Sequence, residues 1–109
     1  MPKPWRLSQR ASARLVEIAE WTLDTFGDRQ ASSYEAEIIA RCNAVADGRS
    51  HVRKARAAID PTLPDDLFLT RAGAHLIVFI DRPDEIIIID FLHPRQDMPR
   101  RLAEMTRDL

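Results

Sequence analysis

The sequence has few of the residues from which several common functional sites are built. Cys42 is the only cysteine, which excludes an internal disulfide and a multi-cysteine zinc site and agrees with a reducing compartment; we expect it to be a small buried side chain. The three glycines, at positions 27, 48 and 73, are too scattered to form a glycine-rich phosphate loop. No apolar run approaches the roughly 20 residues that span a bilayer, and no apolar signal segment follows the N-terminus, so a soluble cytoplasmic protein is expected.

An excess of charge of either sign is also missing. Sixteen Lys and Arg residues stand against 17 Asp and Glu residues, for a formal net charge of −1. The chain lacks the broad positive field with which non-specific nucleic-acid binders attract phosphates, so direct binding of RNA or DNA is not expected. One local exception is a basic stretch followed at once by an acidic one, which is either a binding patch or a solvated segment: Arg49, Arg53, Lys54 and Arg56, then Asp60, Asp65 and Asp66.

Helical periodicity marks the N-terminal half. At 109 residues the chain can bury one hydrophobic core, and we expect a single domain over residues 1–109. Residues 5–7 form an apolar-polar-apolar segment typical of a short strand, and Ser8 after them is a good N-cap for a first helix that Gly27 ends. A second apolar stripe with helical spacing runs from Asp28 to Gly48. The connection is so short that the two helices should form an antiparallel hairpin.

The C-terminal half predicts strands. Three segments rich in Ile, Val and Phe are joined by links too short for a parallel return, so they should form an antiparallel meander: Leu67–Arg71, Ala74–Asp81 and Glu85–His93. The polar residues 49–66 before them predict a long connection, with room for a helical turn in "VRKARAAI". Pro99 begins a last helix, of which Leu102, Met105 and Leu109 share one face.

The order strand, helix, helix, strand, strand, strand, helix predicts an α/β (α+β) fold of two layers, with the helix hairpin packed on a mainly antiparallel four-stranded sheet. In "LIVFI" and "IIIID" almost every position is apolar, so both faces of the sheet need cover, and the hairpin can cover only one. We expect the other face to bind a segment of another chain, which would leave the isolated protein prone to self-association. The alternative is that residues 49–66 fold over this face.

The three histidines do not form a metal site. His51, His75 and His93 lack metal-binding spacing, and no Cys or carboxylate cluster accompanies them, so we expect no metal and no cofactor. His93 and Arg95 are the one pair suited to acid-base chemistry, because an imidazole can titrate near neutral pH and a guanidinium can stabilise an oxyanion. RNA cleavage without a metal ion requires roughly these groups, an acid-base imidazole and a cation that stabilises the developing charge.

The same turn has a structural interpretation. Pro94 cannot donate to a strand ladder and would end the last strand, while Asp97 can cap the helix that Pro99 begins. Only Arg95 has no such local role. From the residues alone, a catalytic role and a structural or binding role for His93 and Arg95 both remain open.

Two long segments resemble ParE toxins of the RelE/ParE superfamily. The first, "LSQRASARLVEIAEWTLDTFGDRQASSY", is similar to the first helices of that family. The second, "HLIVFID…EIIIIDFLHPRQDMP", is similar to the family's last strands and to its closing His-x-Arg-x-Asp-Leu-Pro turn, here His93, Arg95, Asp97, Met98 and Pro99. The resemblance covers nearly the whole chain and is poor over residues 49–66.

The resemblance implies the RelE/ParE fold and a bacterial type II toxin that forms a hetero-oligomer with a ParD-like antitoxin, which neutralises it. ParE toxins poison DNA gyrase by binding that protein, whereas RelE toxins cut messenger RNA on the ribosome. The near-neutral charge favours the first activity, as does a last turn without the extra Tyr or Lys of the ribosome-dependent nucleases. The protein would then contact nucleic acid only indirectly, through the antitoxin or gyrase.

Two positions depart from the family. Where ParE-like sequences commonly carry an Arg in the second strand and a Tyr in the third, this chain has Phe68 and Ile80. These departures are unfavourable to a nuclease. They also leave open a degenerate toxin that only binds its antitoxin.

The candidate sites follow from the basic last turn and from the apolar residues left for a partner. The residues expected to bind the target are Arg95, Arg100 and Arg101. The residues expected to bind the antitoxin are Trp21, Phe68, Ile77, Phe79, Ile87 and Ile89. The family motif defines no gyrase site that can be matched position by position.

Overall fold

A computed structural model describes residues 3–107 of the chain. These residues form four helices and five strands, which are, in chain order, β1 Trp5–Leu7, α1 Gln9–Phe26, α2 Asp28–Ala46, β2 Arg53–Lys54, α3 Ala55–Ala58, β3 Leu67–Ala72, β4 His75–Asp81, β5 Ile86–Leu92 and α4 Met98–Thr106. The strands form one sheet in the order β1-β5-β4-β3-β2. Within residues 3–107, no helix has the length and apolar character needed to cross a bilayer.

The helices α1 and α2 form the predicted hairpin. Ser8 caps α1, because its hydroxyl accepts a hydrogen bond from the Ala11 N–H at 3.0 Å. Gly27 is the one residue between the two helices, and its φ of 92° is a conformation that favours glycine. The chain therefore reverses over a single residue, and the two helices lie side by side.

The sheet contains the predicted antiparallel meander of β3, β4 and β5, with β1 parallel to β5. The prediction of four strands is wrong by one, because β2 pairs antiparallel with β3 and adds a fifth. Arg53 and Lys54 are polar and exposed, so no apolar period marks them; pairing with Leu69 and Phe68 makes them a strand. The helical turn predicted in the same segment is present as α3.

The hairpin packs on one face of the sheet. Ile38 and Cys42 of α2 contribute to a core with Ile77 and Phe79 of β4 and Ile88 of β5. Full burial of such aliphatic side chains contributes about 1.5–3 kcal/mol each to the hydrophobic stabilisation. Cys42 is fully buried, as predicted, and burial raises the pKa of its thiol to about 11. This layer holds the hairpin firmly on the sheet.

The opposite face of the sheet is covered by the chain itself. Ala55 and Leu63 pack there with Leu102 and Met105 of α4, in a core that includes Val78 of β4. The expectation of an uncovered face is therefore wrong for the described residues. The stated alternative, in which residues 49–66 fold over this face, is the arrangement found, with α4 beside them.

This cover explains why the strands are apolar at almost every position. Four of the residues expected to bind the antitoxin, Ile77, Phe79, Ile87 and Ile89, are at most 7% exposed. Ile77 and Phe79 belong to the core under the hairpin, and Ile89 belongs to the core on the opposite face. The uncovered sheet face from which self-association was predicted is therefore not found among the described residues. Leu109, predicted on the same helix face as Leu102 and Met105, lies outside the described residues.

Candidate functional site

A cleft of about 390 Å³ lies between α1 and the C-terminal end of β5. We call it the α1–β5 cleft. It contains two of the three histidines, two arginines and an exposed tryptophan, and its lining residues are Arg14, Glu17, Ile18, Trp21, His75, Phe91, His93, Arg95 and Gln96. Residues distant in sequence, from α1, β4 and the turn after β5, therefore meet at one place.

The turn after β5 orients His93. The His93 N–H donates to Gln96 Oε1 at 2.9 Å, and the Arg95 N–H donates to His93 Nδ1 at 3.1 Å. Because Nδ1 accepts this bond, it carries no proton, and the proton of the neutral ring is assigned to Nε2. His93 is therefore an N–H donor in this geometry.

The structural interpretation of the same turn is confirmed for the helix that follows it. Asp97 is the N-cap of α4 and accepts a hydrogen bond from the Arg100 N–H at 3.4 Å. Pro99 lies in the first turn of α4, where a missing N–H costs nothing. Arg95 is exposed at the rim of the cleft, and its guanidinium has no ion pair within residues 3–107.

Tyr34 holds the second histidine. The Tyr34 hydroxyl accepts from the Ala74 N–H at 3.0 Å, donates to the Ala72 carbonyl at 3.1 Å and lies 2.6 Å from His75 Nδ1. A hydroxyl has one proton, so all three contacts are satisfied only if His75 Nδ1 donates to Tyr34. The lone pair of His75 then lies on Nε2.

The two histidine rings have complementary roles. They meet edge to face, with 5.9 Å between the ring centroids. Burial lowers the pKa of His75, and the neighbouring His93 and Arg14 lower it further. A neutral acceptor and an N–H donor are thus placed side by side, and this arrangement can bind a polar group or transfer a proton.

An ion pair between a buried carboxylate and a half-buried arginine lies at the cleft, where Arg14 lines one wall. Asp90 is 1% exposed within β5, and its Oδ1 accepts from Arg14 Nε at 3.2 Å and from the Phe91 N–H at 2.8 Å. Arg14 also bonds Glu17 at 3.0 Å on the exposed side. The pair ties α1 to β5 and fixes a guanidinium beside the histidines.

Trp21 forms the apolar rim of the cleft. Its side chain is 60% exposed and meets Phe26 edge to face at 5.8 Å between centroids; Phe26 is also 60% exposed. Two neighbouring aromatic rings on a helix surface are a common feature of protein-binding sites. Trp21, named from the sequence as a candidate partner contact, therefore lies on the exposed side of α1, off the buried stripe of Ala11, Ile18 and Thr22.

The remaining predicted residues lie elsewhere. Arg100 and Arg101 are exposed on α4, pair with Glu104 at 3.3 and 3.9 Å, and do not line the cleft. Phe68 is half-buried and stacks on Phe79 with 5.6 Å between centroids, at a separate pocket of about 320 Å³. The structure thus brings Trp21, His93 and Arg95 together and leaves the other candidates apart.

Sequence reasoning missed Arg14, Tyr34, His75 and Asp90 as parts of one site. Asp90 carried a signal, because a carboxylate inside an all-apolar strand requires a cationic or hydrogen-bonding partner. Its partner could not be identified from spacing, since Arg14 is 76 residues away in the chain. Among residues 3–107, no three His, Cys, Asp or Glu side chains are grouped to hold a metal ion.

Comparison with known proteins places this geometry in context. A family model described as "ParE toxin of type II toxin-antitoxin system, parDE" matches residues 5–98, which include every residue of the cleft. Among curated proteins, no match to the sequence is found. The fold is similar to a chain of the solved structure titled "Chromosomal ParDE TA system from P. aeruginosa", with a TM-score of 0.66 and 14% identity, over 84% of this chain and 95% of that chain. At this identity, the structural similarity concerns the fold alone.

Proposed function

Because the chain belongs to the ParE toxin family of type II toxin–antitoxin systems, we propose that it inhibits DNA gyrase by binding and is neutralised by a ParD-like antitoxin. The observation that carries this proposal is the family match over residues 5–98, which spans both helices of the hairpin and the whole sheet. The net charge of −1 agrees with a protein target better than with a nucleic-acid target.

The α1–β5 cleft is the surface that we assign to the target. It combines an exposed tryptophan, Trp21, with the guanidinium of Arg95, which has no ion pair among residues 3–107. Tryptophan and arginine are the side chains most often found to dominate protein–protein binding energies. Arg100 and Arg101 extend the basic surface along α4, although Glu104 partly neutralises them.

The antitoxin is proposed to contact surfaces that remain accessible. Trp21 and Phe68 keep exposed area, whereas the four buried isoleucine and phenylalanine candidates could be reached only if the core opened. Trp21 is common to both proposed contacts. An antitoxin that covers Trp21 would therefore block target binding directly.

A second candidate function is RNA cleavage in the same cleft. The observation that favours it is the neutral acceptor of His75 beside the N–H donor of His93, with Arg14 and Arg95 close enough to contact a phosphate. Metal-free cleavage requires a base, an acid and cationic groups for the developing charge. Under this alternative the two histidines would be essential.

Pulse labelling after induced expression separates the two functions. Gyrase inhibition predicts that DNA replication stops before protein synthesis and that DNA-damage signalling rises. RNA cleavage predicts the reverse order and loss of the effect in His75→Ala and His93→Ala. Growth that is unchanged by expression without any antitoxin would contradict both functions and leave a degenerate, binding-only member.

A further inference from the structure

A second concave surface, at the outer edge of β3, is lined by basic residues. It has a volume of about 210 Å³, and we call it the β3-edge groove. Three arginines from three different elements line it: Arg41 of α2, Arg53 of β2 and Arg71 of β3. His51 and Thr70 lie beside them, and Leu69 and Leu76, which are at most 9% exposed, form the buried floor. None of these residues belongs to the α1–β5 cleft.

No acidic side chain among residues 3–107 forms an ion pair with the arginines of this groove. Within the described part of the chain, neither Arg41 nor Arg53 has an ion pair, and the Arg71 side chain donates to the Gly73 carbonyl at 3.0 Å. Like charges that converge without an anion repel one another, and an added anion relieves this repulsion. The groove is therefore suited to an anionic ligand.

The neighbouring basic residues behave differently. Lys54 and Arg56 both pair with Asp65, at 2.9 and 3.7 Å. Arg49 pairs with Asp47 at 2.6 Å. The basic stretch noted in the sequence is thus divided by the fold: three of its four basic side chains have an acidic partner, two of them the same one, and Arg53 alone contributes to the groove.

We propose that the β3-edge groove binds Asp and Glu side chains of an extended acidic segment of the antitoxin. This inference rests on the proposed function, in which a protein partner neutralises the toxin. Arginine binds carboxylates through two parallel hydrogen bonds, and three arginines provide several such donors. A protein segment is preferred over a nucleic-acid strand because the proposed function already includes a protein partner that must bind this chain.

Fluorescence anisotropy with the full chain tests the groove. The probe is a fluorescein-labelled peptide of alternating glutamate and leucine; glutamine in place of glutamate gives the uncharged control. A single-stranded oligonucleotide of equal charge tests the nucleic-acid alternative. We expect the acidic peptide to bind, the glutamine peptide to bind at least about tenfold more weakly, and the double variant Arg41→Gln/Arg53→Gln to raise the Kd by about tenfold.

The matched control is the double variant Lys54→Gln/Arg56→Gln, which removes two nearby basic side chains that do not line the groove and that both pair with Asp65. It should bind the peptide within about twofold of the wild type. Three results would each contradict the proposal: equal weakening of peptide binding by both double variants, no binding of the acidic peptide, or tighter binding of the oligonucleotide than of the peptide. Gyrase is absent from this measurement. A negative result therefore does not affect the proposal that gyrase is the target, and a positive result would stand even if gyrase were not the target.

Discussion

Arg14 Nε and Asp90 Oδ1 lie 3.2 Å apart and join the helix hairpin to β5 beside the cleft. The Asp90 side chain is 2% exposed and that of Arg14 is 35% exposed, so the carboxylate depends on this partner while the guanidinium still reaches the cleft. Breaking a buried charged pair leaves a group that has lost its hydration without compensation. The pair therefore serves both the stability of the fold and the position of a cationic group at the site.

The substitution Asp90→Asn removes this charge and keeps the shape of the side chain. We expect the free energy of unfolding to fall by about 1–3 kcal/mol, measured by urea denaturation, because a charge-assisted hydrogen bond is lost in a buried place. The control is Glu17→Gln, which removes the other partner of Arg14. Glu17 is 65% exposed, so this change should cost no more than about 0.5 kcal/mol. Equal stability of Asp90→Asn and the wild type would show that the pair is not structural.

Position 73 requires a glycine because Tyr34 packs directly against it. It has a φ of +56°, and a Cβ built there would lie 2.5 Å from Tyr34 Cε1. Gly48 has a similar φ of +73° but no atom within 4 Å of such a Cβ. Gly48→Ala should therefore show only the backbone cost of about 1–2 kcal/mol, and Gly73→Ala should be destabilised further by displacement of Tyr34. Equal urea midpoints for the two variants would contradict the close packing of Tyr34 on the β3–β4 turn.

The lowered pKa of His75 predicts a pH dependence of stability. Burial disfavours the protonated ring in the folded state, so the unfolded chain takes up this proton at a higher pH than the folded chain. The contribution of neutral His75 to the free energy of unfolding is fully present above the unfolded pKa near 6.5, and it is lost as the pH falls through the folded pKa. NMR titration should give His75 a pKa below 6.5. The variant His75→Asn should lose less stability than the wild type on acidification; a His75 pKa at or above 6.5 would contradict the assignment.

The sequence predicted the order of the main elements because their signals are local. Ser8 and Gly27 mark the two ends of the first helix through capping, and the short links between β3, β4 and β5 allow only antiparallel pairing. The two-residue β2 could not be predicted, since only its pairing with β3 defines it. The covering of the second sheet face could not be predicted either, because it depends on how residues 55–66 and α4 fold back onto the sheet.

The site was predicted only as far as local spacing allows. His93 and Arg95 share a turn, and their proximity follows from the chain. His75 and Tyr34 join them through the register of β4 and the packing of α2, neither of which a single sequence determines. The apolar strands were misassigned to a partner because an interface and a core have the same composition.

Cys42 should be inert in the folded protein. It is fully buried, and its thiol pKa is raised to about 11, so both access and thiolate formation are suppressed. We expect a disulfide reagent at pH 8 to react only after denaturation with urea, with one equivalent released per chain. Rapid labelling of the folded protein would mean that the α2 side of the core opens readily.

The α1–β5 cleft is predicted to carry the interaction with gyrase, and purified components allow its residues to be ranked. Arg95→Ala and Trp21→Ala remove exposed side chains, so neither should disturb the fold. Each should raise the protein concentration needed for half-inhibition by at least about tenfold, the size of effect typical of a dominant contact. Arg82→Ala, an exposed arginine beyond the other end of β4, is the matched control and should inhibit as the wild type does.

The most direct measurement is DNA supercoiling by purified gyrase in the presence of this protein. The account predicts that the wild-type protein stops supercoiling or traps cleaved DNA, that the two cleft variants do so poorly, and that Arg82→Ala retains full inhibition. Gyrase that remains fully active at a large excess of the wild-type protein would contradict the proposed function.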